Sequence, residues 1–274
     1  MKALRLSALL AVLVAVAACD PKGEATYPDK VPTAAVRFVH AVSDTGGMDW
    51  RFVDQVENSP TTFGLQYRGV FPGAGYQQLG AGARHLRVFQ TSTDINQTQV
   101  VLFDTTYTFT SGAHYTIMAA GTLRNKAAKL YIYQDDVPDP GSSIAVRVIN
   151  AGMGSPVDVY GSATGGTSAL PSSPFAGGVT QFTATKWSTM TPGPLAVRVL
   201  TSGSSALPAM IDATAPVGAP ADQHDDLTAV GGSTIACSAF TAFVFPPSVA
   251  GSKASSSTKA SVVFAVDHYP PSGF

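Results

Sequence analysis

The sequence predicts an all-β protein built from two tandem sandwiches. Short apolar runs recur about every ten residues and are separated by Gly-Gly, Pro-Gly and Ser-Gly turns. Charged residues make up only 13% of the chain, which contains 26 glycines and 19 prolines, a composition typical of loop-rich β proteins. A pattern also recurs after about 110 residues, the length of a domain rather than of a solenoid repeat. We therefore expect two immunoglobulin-like β-sandwich domains.

The chain begins with a predicted signal peptide over residues 1–18. Lys2 and Arg5 form a basic start, and residues 8–18 are an uninterrupted apolar run that ends in small residues. A membrane-spanning helix needs about 20 apolar residues. Because Asp20 ends the run before that length, a cleaved signal is the better interpretation.

The end of the signal peptide carries the prediction of an anchor. Val16-Ala17-Ala18-Cys19 resembles the lipobox of a bacterial lipoprotein, which implies cleavage before Cys19 and acylation of that cysteine. Several acyl chains hold a protein firmly on a bilayer, and residues 19–32, with three prolines and five charges, are typical of a tether. The expected location is the bacterial cell envelope, on the inner or outer membrane, facing the periplasm or the exterior. An ordinary cleaved signal with an incidental Cys19 is the alternative.

The first predicted domain spans residues 33–143. It opens with a strand over 35–41, whose even-numbered and odd-numbered side chains point to opposite faces. Met48, Trp50 and Phe52 share one face of the next strand, so we expect Trp50 in the core. Six further strands are predicted at 62–67, 85–90, 99–103, 107–110, 114–119 and 129–133.

The second predicted domain spans residues 144–274 and repeats the order of the first. Five segments match at offsets of 109 to 112: 35–41 with 145–151, 48–50 with 157–159, 86–88 with 197–199, 116–118 with 228–230 and 131–133 with 243–245. A further apolar run at 261–267 is interpreted as the closing strand of this domain. The first strand of a truncated third copy is the alternative. An unpaired apolar edge would promote aggregation, so this strand needs a partner in the chain.

Two segments carry a resemblance to a known family. AVRFVHAVSDTGGMDW (35–50) and AVRVINAGMGSPVDVY (145–160) each place a Val-Arg strand, a short loop and a strand with a central aspartate in succession. They resemble the opening of the "domain of unknown function 4397" family, and the resemblance covers most of 34–136 and, more loosely, 144–246. It implies exported β-sandwich domains that often occur in tandem and are often lipid-anchored. It implies no catalytic residues.

A recurring Arg/Asp pair is the clearest candidate for a polar structural site. Arg37 and Asp49 recur as Arg147 and Asp158, and each lies opposite the apolar face of its strand. If the two strands were adjacent, the side chains would meet as cross-strand partners. We therefore predict one structural ion pair in each domain, Arg37–Asp49 and Arg147–Asp158. Four independent surface charges, each contributing little, are the alternative.

Few residues are candidates for binding a ligand or a metal. Trp187 follows Lys186 in a strand-like stretch and is the candidate for stacking on a sugar ring. Cys237 lies among apolar residues and is expected to be an inert, buried thiol. Residues 223–226 (QHDD) could ligate a metal, but consecutive ligands rarely converge on one ion. We expect a solvated loop there and no metal site.

Motifs and charge restrict the expected function. Gly-x-Ser-x-Gly, His-Glu-x-x-His and paired Cys-x-x-Cys motifs are missing from the sequence, so we expect no enzyme activity and no cofactor. Loss of the signal peptide would leave a net charge of about −3 and no basic stripe, which argues against a nucleic-acid partner. The leading expectation is a lipid-anchored envelope protein with a binding or structural role, whose partner is a polysaccharide or an envelope protein. A carbohydrate- or cell-wall-binding module is the alternative, and an unrecognised hydrolase is the third possibility.

Overall fold

The structure is a computed structural model, and it describes residues 31–55, 60–222 and 228–270. The signal peptide (1–18), Cys19 and nearly all of the tether lie outside the described residues, as does the QHDD run at 223–226. The expectations for them stay predictions. Within the described ranges, no helix is both long enough and apolar enough to cross a membrane.

From Pro32 onward the chain forms one unit, and nearly all of the regular secondary structure in its described residues is β-strand. The described part of the first half contains one short helix, α1 (Ile95–Thr98), and nine strands: β1 (Thr33–Val42), β2 (Met48–Phe52), β3 (Thr62–Leu65), β4 (Val70–Phe71), β5 (Gln77–Gly80), β6 (Gly82–Gln90), β7 (Val101–Phe109), β8 (His114–Gly121) and β9 (Lys129–Gln134). The described part of the second half contains eight: β10 (Ile144–Asn150), β11 (Val157–Ser162), β12 (Ala176–Val179), β13 (Ser188–Met190), β14 (Ala196–Thr201), β15 (Ile211–Thr214), β16 (Ser238–Phe245) and β17 (Ser261–His268).

These strands form four sheets, two in each half. Inner sheet 1 has the order β4-β1-β8-β9, with β5 also paired to β1, and outer sheet 1 has the order β3-β2-β6-β7. Inner sheet 2 has the order β13-β10-β16-β17, and outer sheet 2 has the order β12-β11-β14-β15. β1 runs parallel to β8, and β10 runs parallel to β16. The second half therefore repeats the strand order of the first.

A hydrophobic core lies between the two sheets of each half. Phe38 of β1 packs against Trp50 of β2, with ring centroids 5.2 Å apart. In the second half, Val146 and Val148 of β10 pack in a cluster with Val159 of β11. Residues two apart on a strand share a face, so alternate positions of β1 and β10 fill these cores. The predictions of an all-β sandwich and of a buried Trp50 are confirmed.

The opposite faces of β1 and β10 are buried too, because the two inner sheets pack on each other. A third apolar cluster contains Val39 and Met118 from the first half and Ile149 and Phe243 from the second. As a result, β1 is buried from Ala34 to Val42, and β10 is buried throughout. The layers run from outer sheet 1 through inner sheets 1 and 2 to outer sheet 2.

Strand pairing corrects two of the five repeat matches. Arg37 lies opposite Thr116 in inner sheet 1, and Arg147 lies opposite Thr241 in inner sheet 2. The counterpart of β8 is therefore β16, at an offset of 125, and not residues 228–230. β17 pairs with β16 as β9 pairs with β8, so β9 corresponds to β17 and not to 243–245. Longer loops before β16 and β17 displaced the sequence match.

Candidate functional site

Two arginines lie buried between the inner sheets. Arg37 on β1 and Arg147 on β10 share their strand faces with the apolar residues that contact the other half, so each guanidinium is carried into the interface. Arg37 Nη1 lies 2.7 Å from Asp267 Oδ1, and Arg147 Nη1 lies 2.7 Å from Asp135 Oδ1. Asp267 belongs to β17, and Asp135 directly follows β9. Each ion pair therefore joins one half to the other, in a reciprocal arrangement.

Hydroxyl groups satisfy the remaining oxygens of both carboxylates. Thr116 Oγ1 donates to Asp135 Oδ2 at 2.5 Å, and Thr241 Oγ1 donates to Asp267 Oδ2 at 2.8 Å. The Tyr76 hydroxyl lies 2.5 Å from Asp267 Oδ1 and 3.0 Å from Asp135 Oδ2, so it bridges the two pairs. Burial and the neighbouring carboxylates raise the pKa of Tyr76, which keeps its hydroxyl a donor. The interface network, as we call it, consists of Arg37, Tyr76, Thr116, Asp135, Arg147, Thr241 and Asp267.

Each arginine of the interface network is also covered by an aromatic ring. Arg37 Cζ lies 4.3 Å from the Tyr76 ring centroid, and Arg147 Cζ lies 4.7 Å from the Trp187 ring centroid. Both distances are typical of cation–π contacts. Tyr76 and Trp187 are 111 residues apart, within the range of offsets of the matching strands. Trp187 is therefore the counterpart of Tyr76 in the second half, and the Arg147 guanidinium covers one face of its ring.

The predicted pairings Arg37–Asp49 and Arg147–Asp158 do not form. β1 and β2 belong to different sheets, as do β10 and β11, so each arginine and its predicted aspartate are not cross-strand neighbours. Asp49 instead accepts hydrogen bonds from the Gly64 N–H, at 2.8 Å, and from the Thr91 hydroxyl. It thereby ties β2 to β3 and to the residue that follows β6.

Asp158 has the same role in the second half. It accepts hydrogen bonds from the backbone N–H groups of Gly178 and Gly203 at 2.7 and 2.8 Å, and from the Ser202 hydroxyl at 2.9 Å. Burial alone would raise the pKa of Asp158, but these hydrogen bonds to the charged form hold it below its usual value. The recurrence of Asp49 and Asp158 thus reflects a repeated contact with the neighbouring edge strand and with the residues that follow the central strand.

Trp187 lines an open cleft of about 500 Å³ beside the interface network. Tyr133 and Trp187 supply aromatic surface, and Gln134, Asp136 and Lys186 supply an amide, a carboxylate and an ammonium group. We call this feature the Trp187 cleft. A second hollow of about 470 Å³ shares Gln134 and Asp136 with it, so polar groups line both sides of the end of β9.

Cys237 departs from the prediction of an inert, buried thiol. It is half-buried at the end of the loop before β16, with a left-handed backbone (φ = 62°), and its thiol faces Asp139 and His268. Its apolar sequence neighbours favoured a core position, but the residue is half-buried and its thiol contacts polar side chains. The residues that surround it are 98 and 31 positions away in the chain, so local sequence could not indicate them.

Sequence reasoning also missed Asp135, Asp267 and Tyr76. A signal was present, because each aspartate comes at or just past the end of the last strand of its half. The match of 131–133 with 243–245 concealed that equivalence. With β9 aligned to β17 instead, the two aspartates occupy corresponding places.

The fold and its polar site define an all-β protein of two packed sandwiches, joined by reciprocal buried ion pairs. Residues 34–160 match the family model described as "Domain of unknown function (DUF4397)". This match supports the family resemblance seen in the opening strand patterns. It spans the first half and continues through β10 into β11, past the predicted domain boundary at 143. No curated protein matches the chain.

Proposed function

We propose that the chain is a lipid-anchored, non-enzymatic binding protein of the bacterial cell envelope. In this proposal both halves are copies of the DUF4397 domain, each an immunoglobulin-like sandwich. The proposal is supported by the lipobox-like ending at Cys19 and by the repeated strand order of the two halves. Residues 19–32 would hold the four-sheet body away from the bilayer.

The anchor part of the proposal has its own test. Each buried methylene contributes about 0.8 kcal/mol to membrane binding, so several acyl chains on Cys19 would hold the protein stably. We expect mass spectrometry of the chain isolated from native membranes to find an acylated Cys19 at the new amino terminus. Cys19→Ala should abolish the lipid and leave the signal peptide attached. An unacylated chain that begins at Met1 would contradict the anchor.

The Trp187 cleft is the observation that carries the binding role, and a saccharide is the ligand class it fits best. Sugar rings present an apolar face, which stacks on aromatic side chains, and a rim of hydroxyls, which bind amide, carboxylate and ammonium groups. Trp187 and Tyr133 offer the first kind of contact, and Gln134, Asp136 and Lys186 offer the second. A volume of about 500 Å³ falls in the range of small-molecule sites.

Binding without turnover is proposed because the cleft has only part of a hydrolytic site. Glycoside hydrolysis uses two carboxyl groups that flank the scissile bond. Among the described residues that line the Trp187 cleft, Asp136 is the one carboxylate. The neighbouring Asp135 is buried and paired with Arg147, so it is not available to a substrate.

Binding of the full chain to peptidoglycan and to a panel of soluble polysaccharides tests the role of the cleft. Burying an aromatic side chain contributes about 1.5–3 kcal/mol, so Trp187→Ala should weaken binding about tenfold or more. Lys186→Ala should also weaken it and leaves the contact between Trp187 and Arg147 in place. Phe63→Ala, which removes an exposed ring from outer sheet 1, is the matched control. Equal binding by all three variants, or no binding to any glycan, would contradict the saccharide proposal.

A further inference from the structure

Three metal-ligating side chains converge at a point away from the Trp187 cleft. Asp139 lies in the segment between β9 and β10, Cys237 directly precedes β16, and His268 ends β17. The three candidate ligand atoms all lie within 4.8 Å of one another. The cluster therefore brings together the connection between the halves and the last strand of the second half.

The distances within this cluster suit one tetrahedral metal ion. Cys237 Sγ lies 3.1 Å from Asp139 Oδ1 and 3.9 Å from His268 Nδ1. Zinc binds sulfur at about 2.3 Å and nitrogen or oxygen at about 2.0–2.2 Å, so neighbouring ligands in a tetrahedral site lie about 3.3–3.6 Å apart. The two distances from Cys237 Sγ differ from these values by only a few tenths of an ångström, and the Asp139 and His268 ligand atoms lie within 4.8 Å of each other.

We propose that Asp139, Cys237 and His268 form a zinc site with a fourth position open to water. Thiolate, imidazole and carboxylate are the zinc ligands of proteins, and a thiolate with a carboxylate balances the charge of Zn²⁺. The Gly141 N–H donates to Asp139 Oδ1 at 3.0 Å, and this hydrogen bond orients the carboxylate. The site is independent of the proposed saccharide binding.

Metal binding would change two hydrogen bonds of this cluster. The Cys237 thiol donates to Asp139, and burial and this carboxylate raise the pKa of Cys237, so a cation is needed to stabilise the thiolate. His268 Nδ1 lies 2.8 Å from the Cys237 carbonyl oxygen, and metal binding through Nδ1 replaces that hydrogen bond. Zinc binding therefore releases the thiol proton and is expected to be weaker at low pH.

Cobalt substitution reports the site directly. The full chain is purified in detergent, reduced, freed of metal with a chelator and titrated with Co²⁺ and then with Zn²⁺. We expect one equivalent of Co²⁺ to give a sulfur-to-metal charge-transfer band in the near ultraviolet and the visible bands of a tetrahedral ion. One equivalent of Zn²⁺ should remove both, and the melting temperature should rise with the zinc concentration.

Single substitutions separate this site from incidental metal binding. Cys237→Ser should abolish the charge-transfer band, and Asp139→Asn and His268→Gln should each weaken Zn²⁺ binding at least tenfold. Cys19→Ser controls for the other cysteine of the chain, and His85→Gln controls for an exposed His–Asp pair elsewhere; both should bind like the parent. Far-ultraviolet circular dichroism confirms that each variant is folded. A band that persists in Cys237→Ser, or no one-to-one binding at micromolar Co²⁺ and Zn²⁺, would overturn the proposal.

Discussion

Removing Asp267 should strongly destabilise the protein, because this carboxylate serves four groups of the interface network. Asp267→Ala removes the 2.7 Å partner of Arg37, the acceptor of Thr241 and one of the two acceptors near Tyr76. It also removes the negative charge that lies 3.8 Å from Arg147 Nη2. The buried interface would then hold two arginines and one aspartate.

The expected loss of unfolding free energy is about 3–4 kcal/mol. Breaking a buried ion pair by removing one partner costs about 3–5 kcal/mol, since the remaining charge is left uncompensated. Arg37 keeps hydrogen bonds to the carbonyl oxygens of Gly75, at 2.9 Å, and Val266, at 2.7 Å, which places the cost in the lower part of that range. A loss of this size is a large share of the 5–15 kcal/mol typical of a folded protein.

Urea unfolding followed by tryptophan fluorescence measures this loss. Asp104→Ala is the matched control, because it removes an aspartate paired with Arg87 on the exposed face of outer sheet 1 and should change little. A double variant, Arg37→Met with Asp267→Leu, should be more stable than Asp267→Ala, since apolar side chains then replace both charges. If Asp267→Ala lies within about 1 kcal/mol of the parent, or if the double variant costs the sum of its parts, the buried pairs do not stabilise the interface as argued.

Two further substitutions test other parts of the fold. Burial lowers the pKa of His40 to about 4, below the unfolded value near 6.5. The unfolded state therefore takes up a proton first as the pH falls. The free energy of unfolding should decrease by about 3 kcal/mol in total as the pH drops from 6.5 to below 4. His40→Asn should remove that decrease, and asparagine should fit because Asn150 occupies the equivalent place in β10. Urea unfolding of the parent and the variant at pH 7 and pH 4.5 measures the effect. An equal loss of stability at pH 4.5 in both chains would show that His40 is not the responsible group. Phe243→Ala should cost about 3–5 kcal/mol by opening a cavity between the inner sheets, whereas Phe63→Ala, at an exposed site, should leave the urea midpoint nearly unchanged.

The sequence predicted the strands and the core faces well, because both depend on local alternation. Val36, Phe38 and Trp50 lie where the period of two places them. The opposite face of β1 was predicted to carry an ion pair within its own domain, although Val39 and Ala41 share that face with Arg37. A strand that is apolar on both faces is typical of one covered on both sides. The run AVRFVHAV therefore held a signal for the packing of the inner sheets.

The partners of the arginines could not be predicted in the same way, because they are set by tertiary structure. Arg37 and Asp267 are separated by 230 residues, and the unequal loop lengths before β16 and β17 obscured the equivalence of β9 and β17. The same reason applies to the cluster of Asp139, Cys237 and His268. Alternation indicates which face of a strand a side chain occupies, but it does not indicate which element covers that face.

The reciprocal arrangement of charges makes each half depend on the other. Without the second half, Arg37 would lack Asp267, Asp135 would lack Arg147, and the apolar face around Val39 would be exposed to water. Two apolar sheet faces could shift relative to each other with little change in buried area. The two reciprocal ion pairs, in contrast, form at only one relative position of the inner sheets. The two halves should therefore unfold in a single transition, and separate transitions in urea would show that the interface network does not couple them.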